Sequence, residues 1–124
     1  MHRILVADDD RDFRDALERA LQKAGFQVFL ADGGREAIAL MRDSNTRPDL
    51  ILLDLFMPAV DGWDVIQCVA RDPALQSIPI VVMTSLRKED VAAEPAGSFL
   101  RKPFTIAELL ASIHEKLGHR SASA

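Results

Sequence analysis

The chain has 124 residues, 48% of them hydrophobic and 27% charged, which suits one domain with a real core and excludes a predominantly disordered chain. Nineteen acidic against fifteen basic residues leave a formal charge of −4, which argues against nucleic acid or an anionic membrane as a direct partner. Cys68 is the single cysteine, so an internal disulfide and a cysteine zinc cluster are both excluded.

The N-terminus reaches charge at Asp8 after only four apolar residues, too few for a secretory signal core, and no stretch approaches transmembrane length. The expectation is a soluble, cytoplasmic domain with no membrane insertion. Ile4–Ala7 is an unbroken apolar run, the pattern of a strand buried on both faces. Phe13, Ala16, Leu17, Ala20, Leu21 and Ala24 then recur at helical spacing, and Gly25 stands where a C′ glycine belongs. Phe26–Ala31 reads as a second strand and Gly33–Asp43 as a second helix. Leu50–Leu53 is a third apolar run, ending in Asp54. Met57-Pro58 and Asp61-Gly62 have the turn chemistry of a loop. Trp63–Ala70 is read as helix and Ile78–Met83 as a fourth strand ending in Thr84. Leu86–Glu94 supports at most a short helix before Pro95. Ser98–Leu100 reads as a brief fifth strand, and Phe104–Leu117 as the closing helix. His119–Ala124 is expected to be a flexible polar tail beyond a domain spanning 1–118.

Strands that alternate with helices and lack polar alternation indicate a parallel sheet covered on both faces. Five such units fit the flavodoxin-like doubly wound α/β fold, order 2-1-3-4-5; an eight-stranded barrel needs about 250 residues. Ligands of such sheets sit beyond the carboxyl ends of the strands. Here those ends carry Asp8-Asp9-Asp10, Asp54, Thr84 and, just past the fifth strand, Lys102. Asp10 precedes a helix and is read as its N-cap. Asp8, Asp9 and Asp54 are costly to explain that way. Unit charges 4 Å apart repel by about 4 kcal/mol at an effective dielectric near 20, so three clustered carboxylates call for a cation. Oxygen donors without His or Cys suit a hard ion, Mg²⁺ in preference to Zn²⁺. A carboxylate at the centre of such a set can act as a nucleophile and form an acyl phosphate, with Thr84 and Lys102 on the phosphoryl oxygens.

Four blocks, Ile4–Asp10, Asp49–Gly62, Val81–Ser85 and Phe99–Phe104, resemble the receiver domain of two-component response regulators, in that family's order and across nearly the whole chain. The resemblance implies that Asp54 accepts a phosphoryl group from a sensor histidine kinase or phosphotransfer protein. It also implies that Asp9, Asp54 and the backbone carbonyl of Phe56 ligate Mg²⁺, with Asp8 assisting through water. Thr84 and Lys102 would contact the phosphoryl group, Phe99 would turn inward on activation, and the Lys102-Pro103 bond would be cis. The output would be read by an unspecified downstream protein. One departure is a separation of 18 positions between Thr84 and Lys102, about one helical turn (roughly four residues) fewer than the family pattern. It implies a shortened fourth helix on the output face.

The family reading makes the domain a phosphoacceptor, not an enzyme with a separate substrate. The alternative, an aspartate-nucleophile Mg²⁺-dependent phosphohydrolase, uses the same groups but needs an acid–base Asp two residues after the nucleophile, where this chain has Phe56. A flavin-binding protein would face an acidic triplet where a phosphate loop is needed. Trp63 and Cys68 are read as packing residues, Arg87–Asp90 as a solvated face, and His2, His114 and His119 as lacking ligand spacing.

Overall fold

In the computed structural model, which describes residues 1–85 and 98–122, the first element is β1 (Arg3–Ala7), followed by α1 (Arg11–Lys23), β2 (Gln27–Ala31) and α2 (Gly34–Arg42). Then come β3 (Leu50–Asp54), α3 (Gly62–Arg71), β4 (Ile80–Thr84), β5 (Ser98–Arg101) and α4 (Ile106–Ala122). The five strands form one sheet in the order β2-β1-β3-β4-β5, every neighbouring pair parallel. This is the doubly wound order expected from the apolar runs, and β1, β3 and β4 are buried almost throughout.

Alternate residues of each strand supply two separate cores, because successive side chains in a strand point to opposite faces. Leu5, Ile51, Leu53 and Val82 pack on one face with Ala37 and Met41 of α2 and Val65 and Val69 of α3. Ile4, Val6, Leu52, Val81 and Met83 pack on the other with Leu17 and Leu21 of α1 and Leu109, Ile113 and Leu117 of α4. Among the described residues, two helices therefore lie on each face of the sheet.

Helix ends follow local chemistry. Asp10 caps α1 by accepting from the Phe13 N–H, and Asp61 with Asp64 forms a reciprocal capping box that starts α3 at Gly62. At the other end of α1, Gly25 adopts φ +97°. Its N–H donates to the Gln22 carbonyl, and the Phe26 N–H to the Leu21 carbonyl, the paired bonds of a Schellman stop.

Both ends of the last helix differ from the sequence expectation. The last helix begins at Ile106, after Thr105 and Glu108 bond each other's backbone N–H groups, and not at Phe104. It also runs through Gly118 to Ala122, where the expectation was a stop and a flexible tail from His119. Gly118 lies outside the left-handed region that a glycine stop requires, so residues 119–122 carry helical backbone. The expected short helix between β4 and β5, with its missing turn, lies outside the described residues.

Candidate functional site

Each apolar strand ends where the chain must leave the core, and its next polar residue is delivered to the same edge. Asp8 follows β1 directly and extends its ladder, its N–H donating to the Ala31 carbonyl at 3.1 Å. The Arg14 guanidinium donates to the Asp8 carbonyl at 2.9 Å. The Asp8 carboxylate is fully buried and both of its oxygens are engaged. Oδ1 accepts from the Asp10 N–H at 2.9 Å, and Oδ2 from the Lys102 ammonium at 2.7 Å. Asp9 is exposed. Asp54 is the last residue of β3 and is buried, with 7% of its surface exposed.

Carboxylate oxygens of Asp8, Asp9 and Asp54 all lie within 4.8 Å of one another. Asp54 Oδ1 accepts from the Phe56 N–H at 3.2 Å, and Oδ2 stands 3.9 Å from Lys102 Nζ. The Asp54 carboxyl is pushed up from 3.8 to about 6, chiefly by burial, with Asp8 and Asp9 adding to the shift against the opposing pull of Lys102 and the Phe56 N–H. One ammonium faces three carboxylates. The excess negative charge and the all-oxygen donors are what a hard divalent cation requires, so the donor set fits Mg²⁺.

Thr84 ends β4 and is buried, with 1% exposed. Its carbonyl accepts from the Lys102 N–H at 2.7 Å, which carries β5 pairing one residue further and swings Lys102 back over the site. The Lys102-Pro103 bond is cis. Phe56 is 53% exposed beside the cluster. Phe99 pairs with Val82 across the β4–β5 register and packs half-buried on the α2–α3 face. Thr84, two positions from Val82, faces the same side of the sheet.

Asp8, Asp9, Asp54, Thr84 and Lys102 thus lie at the carboxyl edge, whereas Phe99 stands opposite Val82 within the sheet and Arg87–Asp90 lie outside the described residues. Trp63 packs half-buried on the same face as Phe99, and half-buried Cys68 accepts from Arg42 at 3.3 Å.

Three residues of the site were not singled out beforehand. Arg14 holds Asp8 through its carbonyl. The ring of Phe13 lies under the Lys102 ammonium, 4.2 Å from Nζ to the centroid. The third is Gly62, where a Cβ would run into the Asp54 carbonyl and the Leu55 Cα. Phe13 had signalled only the apolar stripe of a helix, since its partner Lys102 comes from the far end of the chain.

A sequence profile of the response regulator receiver domain matches residues 4–114. The response regulator MprA of Mycolicibacterium vanbaalenii is 42% identical over 119 residues, covering 93% of this chain and 50% of the relative. The transcriptional regulatory protein PrrA of Mycobacterium leprae is 41% identical over 127 residues, covering 98% and 52% respectively. The chain therefore spans about half the length of the curated relatives it matches. Among solved structures, a signal receiver domain of a histidine kinase from Syntrophus aciditrophicus superposes with a TM-score of 0.87. It is 30% identical, covering 96% of this chain and 92% of that one. The Thermotoga maritima response regulator TrrA, solved in complex with Mg²⁺ and BeF, superposes with a TM-score of 0.81. It is 27% identical, covering 94% and 99%.

Proposed function

The chain belongs to the response regulator receiver domain family, and on that premise we propose that Asp54 is the residue that accepts a phosphoryl group. The observation that carries this reading is the placement of Asp54 at the end of β3, with the carboxylates of Asp8 and Asp9 within 4.8 Å and Lys102 3.9 Å away. The donor is a phosphohistidine of a sensor histidine kinase or phosphotransfer protein. An Asp54 carboxylate oxygen attacks phosphorus, the P–N bond breaks with its electron pair going to the ring nitrogen, and the imidazole, already protonated on its other nitrogen, leaves as the neutral ring.

Asp9, Asp54 and the Phe56 carbonyl would hold Mg²⁺, with Asp8 assisting through water. The ion would supply positive charge where phosphoryl oxygens gather. Burial raises the carboxyl only to about 6, so Asp54 is mostly ionised near neutral pH and available as nucleophile. Thr84 and Lys102 contact the bound phosphoryl group. Because Thr84 and Phe99 share one face of the sheet, displacement of Thr84 toward the phosphoryl group vacates space that Phe99 can enter.

The domain transfers phosphoryl groups only to and from itself, and its output is a face read by a downstream protein. A cytoplasmic location belongs to the same reading, as does the absence of direct nucleic-acid contact, which the acidic balance of −4 supports. Among the described residues no helix is long and apolar enough to cross a membrane.

Incubation with acetyl phosphate and Mg²⁺, followed by intact-mass spectrometry, tests the assignment. One added phosphoryl group is expected on the wild type and none on Asp54→Asn. Equal labelling of the two proteins would overturn the choice of Asp54.

A further inference from the structure

Lys102 reaches the site on a flexible four-carbon stem, so something must hold its ammonium there. Two of its neighbours are carboxylates, Asp8 at 2.7 Å and Asp54 at 3.9 Å. The third is the face of Phe13, 4.2 Å from the ammonium, within the roughly 6 Å over which an aromatic quadrupole attracts a cation. The Phe13 ring is itself held. Its backbone N–H is bonded to the Asp10 side chain at 3.2 Å, and its ring meets Phe104 edge to face at 5.8 Å and 79°. Lys102 and Phe104 flank Pro103, so one short stretch of chain grips Phe13 with both an ammonium and a ring.

We propose that Phe13 is a positioning residue for phosphoryl capture: its ring face keeps the Lys102 ammonium turned toward the acidic cluster. The proposal rests on the phosphoacceptor reading of Asp54. The pull of Asp8 and Asp54 on Lys102 changes whenever those carboxylates are neutralised or modified. Attraction to the ring does not. The ring therefore holds the ammonium in place through the change of state in which its carboxylate partners become less negative, when a phosphoryl oxygen is to be met.

Two replacements separate the electrostatics of the ring from its bulk. Phe13→Leu removes the aromatic face, and incorporation of trifluorophenylalanine at position 13 keeps the shape while draining the negative charge from the face. With saturating Mg²⁺, each is expected to weaken beryllofluoride binding by about three- to tenfold, the scale of one cation–π contact. Wild-type affinity in the fluorinated protein would overturn the proposal, because packing alone would then account for the position.

A second measurement uses the free protein. In the wild type, NMR is expected to show the ε-methylene protons of Lys102 shifted upfield by the ring and, in Phe13→Leu, returned to ordinary values. Unshifted signals in the wild type would also overturn the proposal. Failure of the wild type to bind beryllofluoride would overturn the phosphoacceptor reading, and the ε-methylene comparison then decides by itself whether Phe13 holds Lys102.

Discussion

Lys102 and Asp8 lie 94 positions apart in the chain and 2.7 Å apart in space, while the same ammonium stands 3.9 Å from Asp54. Lys102 therefore pairs most closely with Asp8, its pull on Asp54 only partly offsets burial, and exposed Asp9 adds to the acidic excess. The two members of the Asp8-Asp9 pair are therefore expected to act on stability in opposite directions.

Asp8→Ala is expected to destabilise the metal-free protein by about 1.5–3 kcal/mol, since it strips a buried charge-assisted hydrogen bond from Lys102. Asp9→Ala is expected to stabilise it, because exposed Asp9 contributes repulsion and, among the described residues, its carboxylate makes no hydrogen bond or ion pair. With Mg²⁺ at 100 times its Kd, the wild type should gain about 2.7 kcal/mol by mass action, and Asp9→Ala should gain far less. Urea melts in EDTA and in Mg²⁺ measure all of these differences. An Asp9→Ala protein less stable than wild type in EDTA contradicts the charge argument.

The raised pKa of Asp54 gives a pH dependence with a definite sign. The folded carboxyl titrates at about 6 against 3.8 for the ordinary group, so between those values the native state binds more protons than the unfolded state. Stability then falls as pH rises through that window, and the penalty is complete above it. Asp54→Asn should thus be more stable than wild type at pH 8 in EDTA, with the gap closing between pH 6 and pH 4. Paired denaturation curves across this range check it, and a gap independent of pH would refute the cause.

Gly62 permits α3 to begin directly against the strand that carries Asp54. Its N–H donates to the Leu55 carbonyl at 2.9 Å, and a Cβ there would meet backbone atoms of Asp54 and Leu55, which cannot rotate away. Gly62→Ala is expected to cost about 2 kcal/mol or more and to weaken beryllofluoride binding, because relief requires moving Asp54. Loss of stability with wild-type beryllofluoride affinity would show that the helix yields and the strand end does not.

Ala59 adopts φ +63° in the loop between Asp54 and α3, a conformation that costs an L-residue about 1–2 kcal/mol. Glycine removes that strain but adds freedom to the unfolded chain, so Ala59→Gly should stabilise by about 0.5–1 kcal/mol, and Ala59→Val should destabilise. Urea midpoints of the three proteins rank them; a less stable Ala59→Gly would mean the loop relies on the alanine methyl.

What was legible from the amino acids alone is what depends on local pattern. Unbroken apolar runs such as Ile4–Ala7, Leu50–Leu53 and Ile78–Met83 require burial on both faces, so a parallel sheet followed from them, and five such units alternating with helices fitted the doubly wound order. The first polar residues after such a run must emerge at the carboxyl edge, so the sequence alone groups Asp8, Asp9, Asp54 and Thr84. Asp10 as a cap and Gly25 as a helix stop were local as well. Gly118 resembled Gly25 in sequence, yet the helix passes through it, because a glycine stop also depends on left-handed backbone geometry that composition does not dictate.

The tertiary structure decided which charges meet. A carboxylate on a one-carbon stem goes where its strand end goes, but an ammonium on a four-carbon stem chooses among whatever surrounds it. Hence the selection of Asp8 by Lys102 and the part played by Phe13 depend on distances set only when α1, β1, β3 and β5 are packed together. The elevated pKa of Asp54 arises in the same way: burial and neighbouring charges belong to the folded arrangement, and the aspartate by itself carries neither.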